Sequence, residues 1–101
     1  LPEALFRFEQ AGLLNPENPR VAYNHGLILV RMRHLESAEE VLLDGLKRHS
    51  TDPGLLNAMV FLTMQQGRLS ETLNWARRLN AASPQDPQAA RLIRDLETRL
   101  N

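Results

Sequence analysis

The chain has 101 residues, 43% of them hydrophobic, with twelve basic and twelve acidic side chains and no cysteine. One domain with one continuous core fits that length, and the composition is too apolar for an intrinsically disordered chain. Zero net charge gives no overall field to gather phosphate backbones or anionic lipid, and the absence of thiols excludes disulfides, cysteine-ligated zinc and thiolate catalysis.

Nucleic acid is therefore not an expected partner. The longest uncharged run, between Asp52 and Arg68, holds about fourteen helical residues, short of the roughly twenty needed to cross hydrocarbon. It reads as a buried helix, so no membrane span is expected. The N-terminus has no basic region followed by an apolar core and a cleavage site, and nothing in the sequence fixes a compartment. The chain opens on Leu1 with half of a pattern, as a piece of a longer protein would.

Taken in order, residues 2–14 carry Ala4, Leu5, Phe8, Ala11 and Leu14 at three- and four-residue spacing, which predicts an amphipathic helix. Asn15-Pro16-Glu17-Asn18-Pro19 stops it. Asn18 then caps a second helix whose first position is Pro19, and Asp52-Pro53 and Asp86-Pro87 repeat the arrangement. The three prolines are 34 residues apart, and Leu69 falls on Leu35 and then on Leu1 under the same shift. A fixed period of this kind marks a repeat architecture.

The second helix, residues 19–32, is apolar almost all round, and mid-helix Gly26 implies another backbone crossing closely. Arg33-His34 breaks it. A third helix spans about 36–49 with Ala38, Val41, Leu42, Gly45 and Leu46 on one face. Ser37 and Glu40 are a candidate capping box, with Glu36 competing as the start.

A fourth helix spans 53–66 and ends at Gly67 in a left-handed cap. The matching position one period earlier is Arg33, which is strained if it adopts the same angles. A fifth helix, 69–82, turns Leu69, Thr72, Leu73, Ala76 and Leu79 inward, with Ser70 as a plausible cap. The last, 87–100, has one stripe of Ala89, Leu92, Ile93, Leu96 and Leu100, with charged residues elsewhere. It reads as a lid with one wet face, as a solenoid's end requires, so the chain is expected to end there.

With its period, paired helices and these residues, the chain resembles the tetratricopeptide repeat (TPR) family. Ala4, Phe8, Ala11 and Pro16 match the small, aromatic, alanine and proline positions of that repeat's second half. Gly26, Leu29, Ala38 and Leu42 continue the pattern, and Ala90 stands where a fresh first helix places its packing residue. Val60, Thr72 and Leu79 depart from it at usually small positions, Ser50 where proline is usual, and His25 where an aliphatic residue is usual.

The resemblance implies an all-α fold, a right-handed superhelix of antiparallel helix pairs with about six helices. Residues 1–18 would be the second helix of a truncated repeat, 19–52 and 53–86 two full repeats, and 87–101 a capping helix. It also implies a concave groove lined by the first helix of each pair. The groove stripe is then Arg20, Tyr23, Asn24, Leu27 and Arg31 on one helix. Asn57, Phe61, Met64 and Gln65 follow on the next, and Gln88, Arg91 and Asp95 on the lid.

That mixture suits an extended or helical peptide: Phe61, Leu27 and Met64 offer burial, and Asn24 and Asn57 can grip a backbone. The alternative is that neighbouring repeats or a second copy cover Leu27 and Phe61. The carboxylate clamp with which some TPR domains hold acidic chaperone tails resembles at best Arg20 with Asn24. The next repeat has Gly54, Asn57 and Ala58 where further cations are needed.

No catalytic, cofactor or metal site is expected. His25, His34 and His49 lie on different elements without paired ligand spacing. They read as a core residue, a turn residue and a partner for a helix C-terminus. The serines sit at breaks or caps, nothing pairs a nucleophile with a base, and there is no glycine-rich phosphate loop. Trp75 reads as a packing residue.

The expected function is a non-enzymatic protein-interaction module that holds a protein or peptide partner. Two alternatives stand beside it. One is structural: Leu5, Phe6 and Phe8 of the first helix stack on a preceding domain or form a homodimer. In the other, the chain is the accessory tail of a larger enzyme or cofactor-bearing protein.

Overall fold

The structure, a computed structural model, describes residues 18–100. They form five helices and no strand: α1 (Pro19–Arg31), α2 (Leu35–Arg48), α3 (Pro53–Gln65), α4 (Leu69–Ala82) and α5 (Pro87–Leu100). The expected helix at 2–14, with its Leu5, Phe6 and Phe8, lies outside the described residues. Helix bounds agree with the periodicity within a residue, and those of α4 and α5 coincide with it.

Three of the five helices start as their Asx-Pro pairs require. Asn18 Oδ1 accepts from the Arg20 amide at 3.0 Å, Asp52 Oδ2 from the Leu55 amide at 3.0 Å, and Asp86 Oδ1 from the Gln88 amide at 3.0 Å. Each satisfies a donor that the first helical turn leaves without a partner.

The turns inside the two hairpins are superimposable in their bonding. At the first, the His34 amide donates to Leu29 O at 2.8 Å and the Arg33 amide to Val30 O at 3.0 Å. At the second, Arg68 N donates to Thr63 O at 2.9 Å and Gly67 N to Met64 O at 3.1 Å. Both are the paired closure in which one residue turns left-handed, and Arg33 (φ 65) and Gly67 (φ 73) are those residues. Gly67 adopts the angle freely. Arg33 does so against the clash of its Cβ with the following carbonyl.

This closure starts α2 at Leu35 and α4 at Leu69, with His34 and Arg68 in the cap positions and no side-chain cap bond at either. Ser37 and Ser70 therefore lie inside the first turn. The expected capping box of Ser37 with Glu40, and the cap at Ser70, do not form. The turns between hairpins also repeat: His49 (φ −133, ψ 66) and Ser83 (φ −135, ψ 69) end α2 and α4 in one conformation.

Packing follows the order of the chain. Among the described residues, α1 packs on α2, α3 on α4 and α4 on α5, while α3 also packs against both α1 and α2. Leu42, Leu55, Leu56, Met59 and Leu62 are fully buried at that junction. Every face of α3 but one is covered, which is why its sequence is apolar without a sharp stripe.

Gly26 faces a side chain, not a crossing backbone. A Cβ there would lie 2.5 Å from Leu42 Cδ2, so the missing methyl is the hole that Leu42 fills. Gly45 plays the same part between hairpins, where a Cβ would sit 2.9 Å from Ala22 Cβ and 3.2 Å from Leu55 Cδ1.

Two hydroxyls join α3 to α4 inside the core. Thr63 donates to Met59 O at 2.8 Å and accepts from Thr72 Oγ1 at 2.8 Å, both threonines being inaccessible to solvent. Outside the core, Arg68 bridges hairpins by pairing with Glu39 of α2 at 2.9 Å and with Glu71 of α4. On α5, Ala89 and Leu96 are buried and Leu92 and Ile93 half-buried, while Leu100 is exposed, leaving the charged face wet.

Candidate functional site: a groove between α1 and α3

Helices α1 and α3 run side by side with α2 behind them, and their front faces enclose a groove of about 630 Å³. Tyr23, Leu27 and Arg31 form one wall at helical spacing, and Asn57, Phe61, Met64 and Gln65 the other. Val30, Ala58 and Val60 make the floor, and Arg33 enters from the turn after α1.

The opening is apolar where α3 contributes most. Phe61 is 45% exposed and Met64 40%, two of the three large hydrophobic side chains that the described surface leaves open. Asn57 and Gln65 flank them, both exposed and both able to donate and accept.

Seven of the twelve residues expected to line a groove meet in this one place. Arg20 and Asn24 are exposed on α1 but not in its lining. Gln88, Arg91 and Asp95 are exposed on α5 and are not in the groove lining. Asp95 pairs with Arg99 at 3.2 Å.

Four lining residues escape a reading of the first-helix stripe. Val30, Ala58 and Val60 look like core by composition, and they are buried, yet their outer edges form the groove floor. Arg33 belongs to a turn and not to a helix face. Its signal in the sequence is its register with Gly67.

The charge of the lining is one-sided. It contains two arginines and no carboxylate. Arg48, Arg68, Arg77 and Arg99 each hold an acidic partner, and Arg78 lies over the Trp75 ring at 4.7 Å and donates to Ser50 O at 3.2 Å. Arg31 and Arg33 hold none among the described residues, and neither do Arg20, Arg91 and Arg94 outside the groove.

No cluster of three or more histidine or acidic side chains positioned for a metal occurs among the described residues. His34 sits in the turn, and His49 closes the C-terminal end of α2 with its Nε2 buried and without a hydrogen-bond partner. No helix of the described residues is long and apolar enough to cross a membrane.

Comparison with family models and with curated proteins gives no match. Among solved structures, the first TPR of Spaghetti (RPAP3) bound to an HSP90 peptide, SRMEEVD, superimposes with a TM-score of 0.86 at 16% identity, over 98% of this chain and 80% of that one. The chain has the tetratricopeptide-repeat fold. In this chain, paired turns, repeated cap angles and packing between adjoining hairpins build that fold. Within the TPR frame, α1 and α3 are the first helices of successive hairpins, and the groove is the surface between them.

Proposed function

We propose that this TPR module is a non-enzymatic interaction domain that captures a peptide segment of a protein partner in the groove between α1 and α3. The observation that carries the reading is the open pair Phe61 and Met64 beside Asn57 and Gln65. Burying one such side chain against a ligand contributes about 1.5 to 3 kcal/mol. The amides bond the peptide backbone, which fixes its position without selecting its sequence. The TPR domain of Spaghetti, solved with an HSP90 peptide, supports peptide capture by a scaffold of this shape. The clamp pattern is not its basis, because Gly54, Asn57 and Ala58 supply no further cation to accompany Arg20 and Asn24.

The test is the double variant Asn57→Ala with Phe61→Ala. Both side chains are exposed, so helicity by circular dichroism stays as in the parent, while capture of a selected peptide ligand weakens at least tenfold. Undiminished capture sinks the reading.

A further inference from the structure

We infer that Arg68, which lies outside the groove lining, is a positioning residue for the groove: its guanidinium ties the α3–α4 turn to α2 and so fixes how far the α3 wall stands from the α1 wall. Its consequence for binding rests on the groove being a peptide site, while the spacing of the walls is measurable without a ligand.

Arg68 commits its whole fork to this cluster. Nη1 donates to Glu39 Oε1 at 2.9 Å and to Gln66 Oε1 at 2.6 Å, Nη2 to Glu39 Oε2 at 3.3 Å and to Glu71 Oε1 at 2.7 Å, and Nε to Glu71 Oε2. All five N–H donors are used, and a planar fork held on two carboxylates at once has a defined orientation. Among the described residues Arg68–Glu39 is the one ion pair between the two hairpins. Those of Arg48 and Arg99 stay within a helix, and that of Arg77 joins α4 to α5.

The second observation is where the tie sits. At one end of the groove the hairpins are closely packed: a Cβ on Gly45 of α2 would lie 2.9 Å from Ala22 Cβ of α1 and 3.2 Å from Leu55 Cδ1 of α3, and one on Gly54 would lie 3.7 Å from Tyr23 Cδ1. At the other end, where Arg33, Met64 and Gln65 line the groove, a hollow of about 440 Å³ separates residues 33–37 from Gln66. The hairpins thus meet at a packed end and an open end, and Arg68 bridges the open one. Rotation of one rigid hairpin about the packed end would move the walls most at the open end, which is where the tie acts.

The third is that the repeat does not require it. One period earlier the place of Arg68 is held by the exposed His34, and neither residue caps its helix through its side chain. Glu39 and Glu71 correspond to Leu73 and Ser37. The cluster is therefore an addition at this junction and not part of what makes the hairpins stack. Arg68 and Glu39 keep 33% and 24% of their side chains exposed, so the pair contributes little to overall stability and its effect is on geometry.

The chain has no cysteine, so Arg31→Cys and Gln65→Cys, exposed on the two walls at the open end, each take one nitroxide label, and pulsed electron resonance reads the distance between them. In that background Arg68→Gln and Glu39→Ala should lengthen and broaden the distance distribution while helicity by circular dichroism stays as in the parent. Glu71→Ala, which leaves the tie to Glu39 in place, should reproduce the parent's distribution. In the unlabelled protein, a peptide selected on the parent by phage display should bind Arg68→Gln and Glu39→Ala about threefold more weakly, the size of effect expected from a partly exposed pair.

Distances in Arg68→Gln and Glu39→Ala that match the parent's overturn the inference. So does an equal lengthening in Glu71→Ala, which would place the effect inside the second hairpin. If the distances change while a peptide that loses affinity on Phe61→Ala binds both variants as it binds the parent, the groove reading stands and the positioning role of Arg68 falls. If the selected peptide ignores Phe61→Ala, the groove reading falls, and the distances alone decide whether Arg68 sets the spacing of the walls.

Discussion

Arg33 is the residue at which sequence register and backbone geometry meet. Its φ of 65 follows from the turn closure it shares with Gly67, and that strain is legible from the 34-residue shift alone. Replacing it with glycine removes a clash of about 1–2 kcal/mol and adds up to about 1 kcal/mol of unfolded-chain entropy. Arg33→Gly should therefore stabilise the fold by about 0.5 kcal/mol in urea titration. Destabilisation would show that Arg33 anchors the turn.

Gly26 is the converse. Its position predicts a close neighbour, but absence of a side chain does not say what fills the space, and Leu42 fills it. Gly26→Ala drives a methyl to 2.5 Å from a fully buried Leu42, and should cost about 1–3 kcal/mol despite the better helix propensity of alanine. A melting temperature equal to the parent's would mean that Leu42 moves freely.

At the scale of the element, the Asx-Pro starts were legible because cap and first position are adjacent in sequence, and one hydrogen bond fixes each. Asp52→Ala should cost about 1 kcal/mol in urea titration, since it frees the Leu55 amide at the start of the most buried helix. An unchanged midpoint would contradict a capping role. The starts of α2 and α4 were misread at Ser37 and Ser70 for a related reason. The left-handed turn before each helix already directs the chain, so the helix begins at its leucine and the serine falls too late to cap.

The pair Thr63 and Thr72 joins two elements in a way no periodicity announces. Thr63→Val leaves the Thr72 hydroxyl to bond Arg68 O, which lies at 3.0 Å, so the single change should cost about 1 kcal/mol. Adding Thr72→Val removes a hydroxyl that has already lost its bond to Thr63, so the double variant should be less destabilised than the two single effects summed. Strict additivity in urea melts would mean the hydroxyls act independently.

On the surface of the same hairpin, Arg68 beside Glu71 holds that carboxyl below the usual range through their hydrogen bond. A carboxyl lowered in the folded state stabilises it above the unfolded pKa. That contribution disappears as pH falls through the folded value. Glu71→Gln should thus flatten the acid side of the stability profile, and a profile identical to the parent's would show that the pair contributes nothing.

For the whole molecule, the stack of hairpins was legible because three proline-marked starts recur at one spacing and each helix needs a neighbour to cover its apolar stripe. The groove was legible only in part. Tyr23, Leu27, Arg31, Asn57, Phe61, Met64 and Gln65 share a groove because α1 and α3 are direct neighbours, and helical spacing suffices to line them up. Gln88, Arg91 and Asp95 depend on how α5 seats on the hairpin before it, and that angle is a property of packing between hairpins that no local pattern encodes. The floor residues Val30 and Val60 were hidden for the opposite reason, being core and surface at once.

The measurement that reaches the central claim most directly is an amide chemical-shift map of the isotope-labelled chain during titration with a selected peptide. Capture between α1 and α3 predicts that the largest shifts cluster at Leu27, Arg31, Arg33, Asn57, Phe61 and Met64. Shifts centred instead on α4 and the charged face of α5, with these six unmoved, would contradict it.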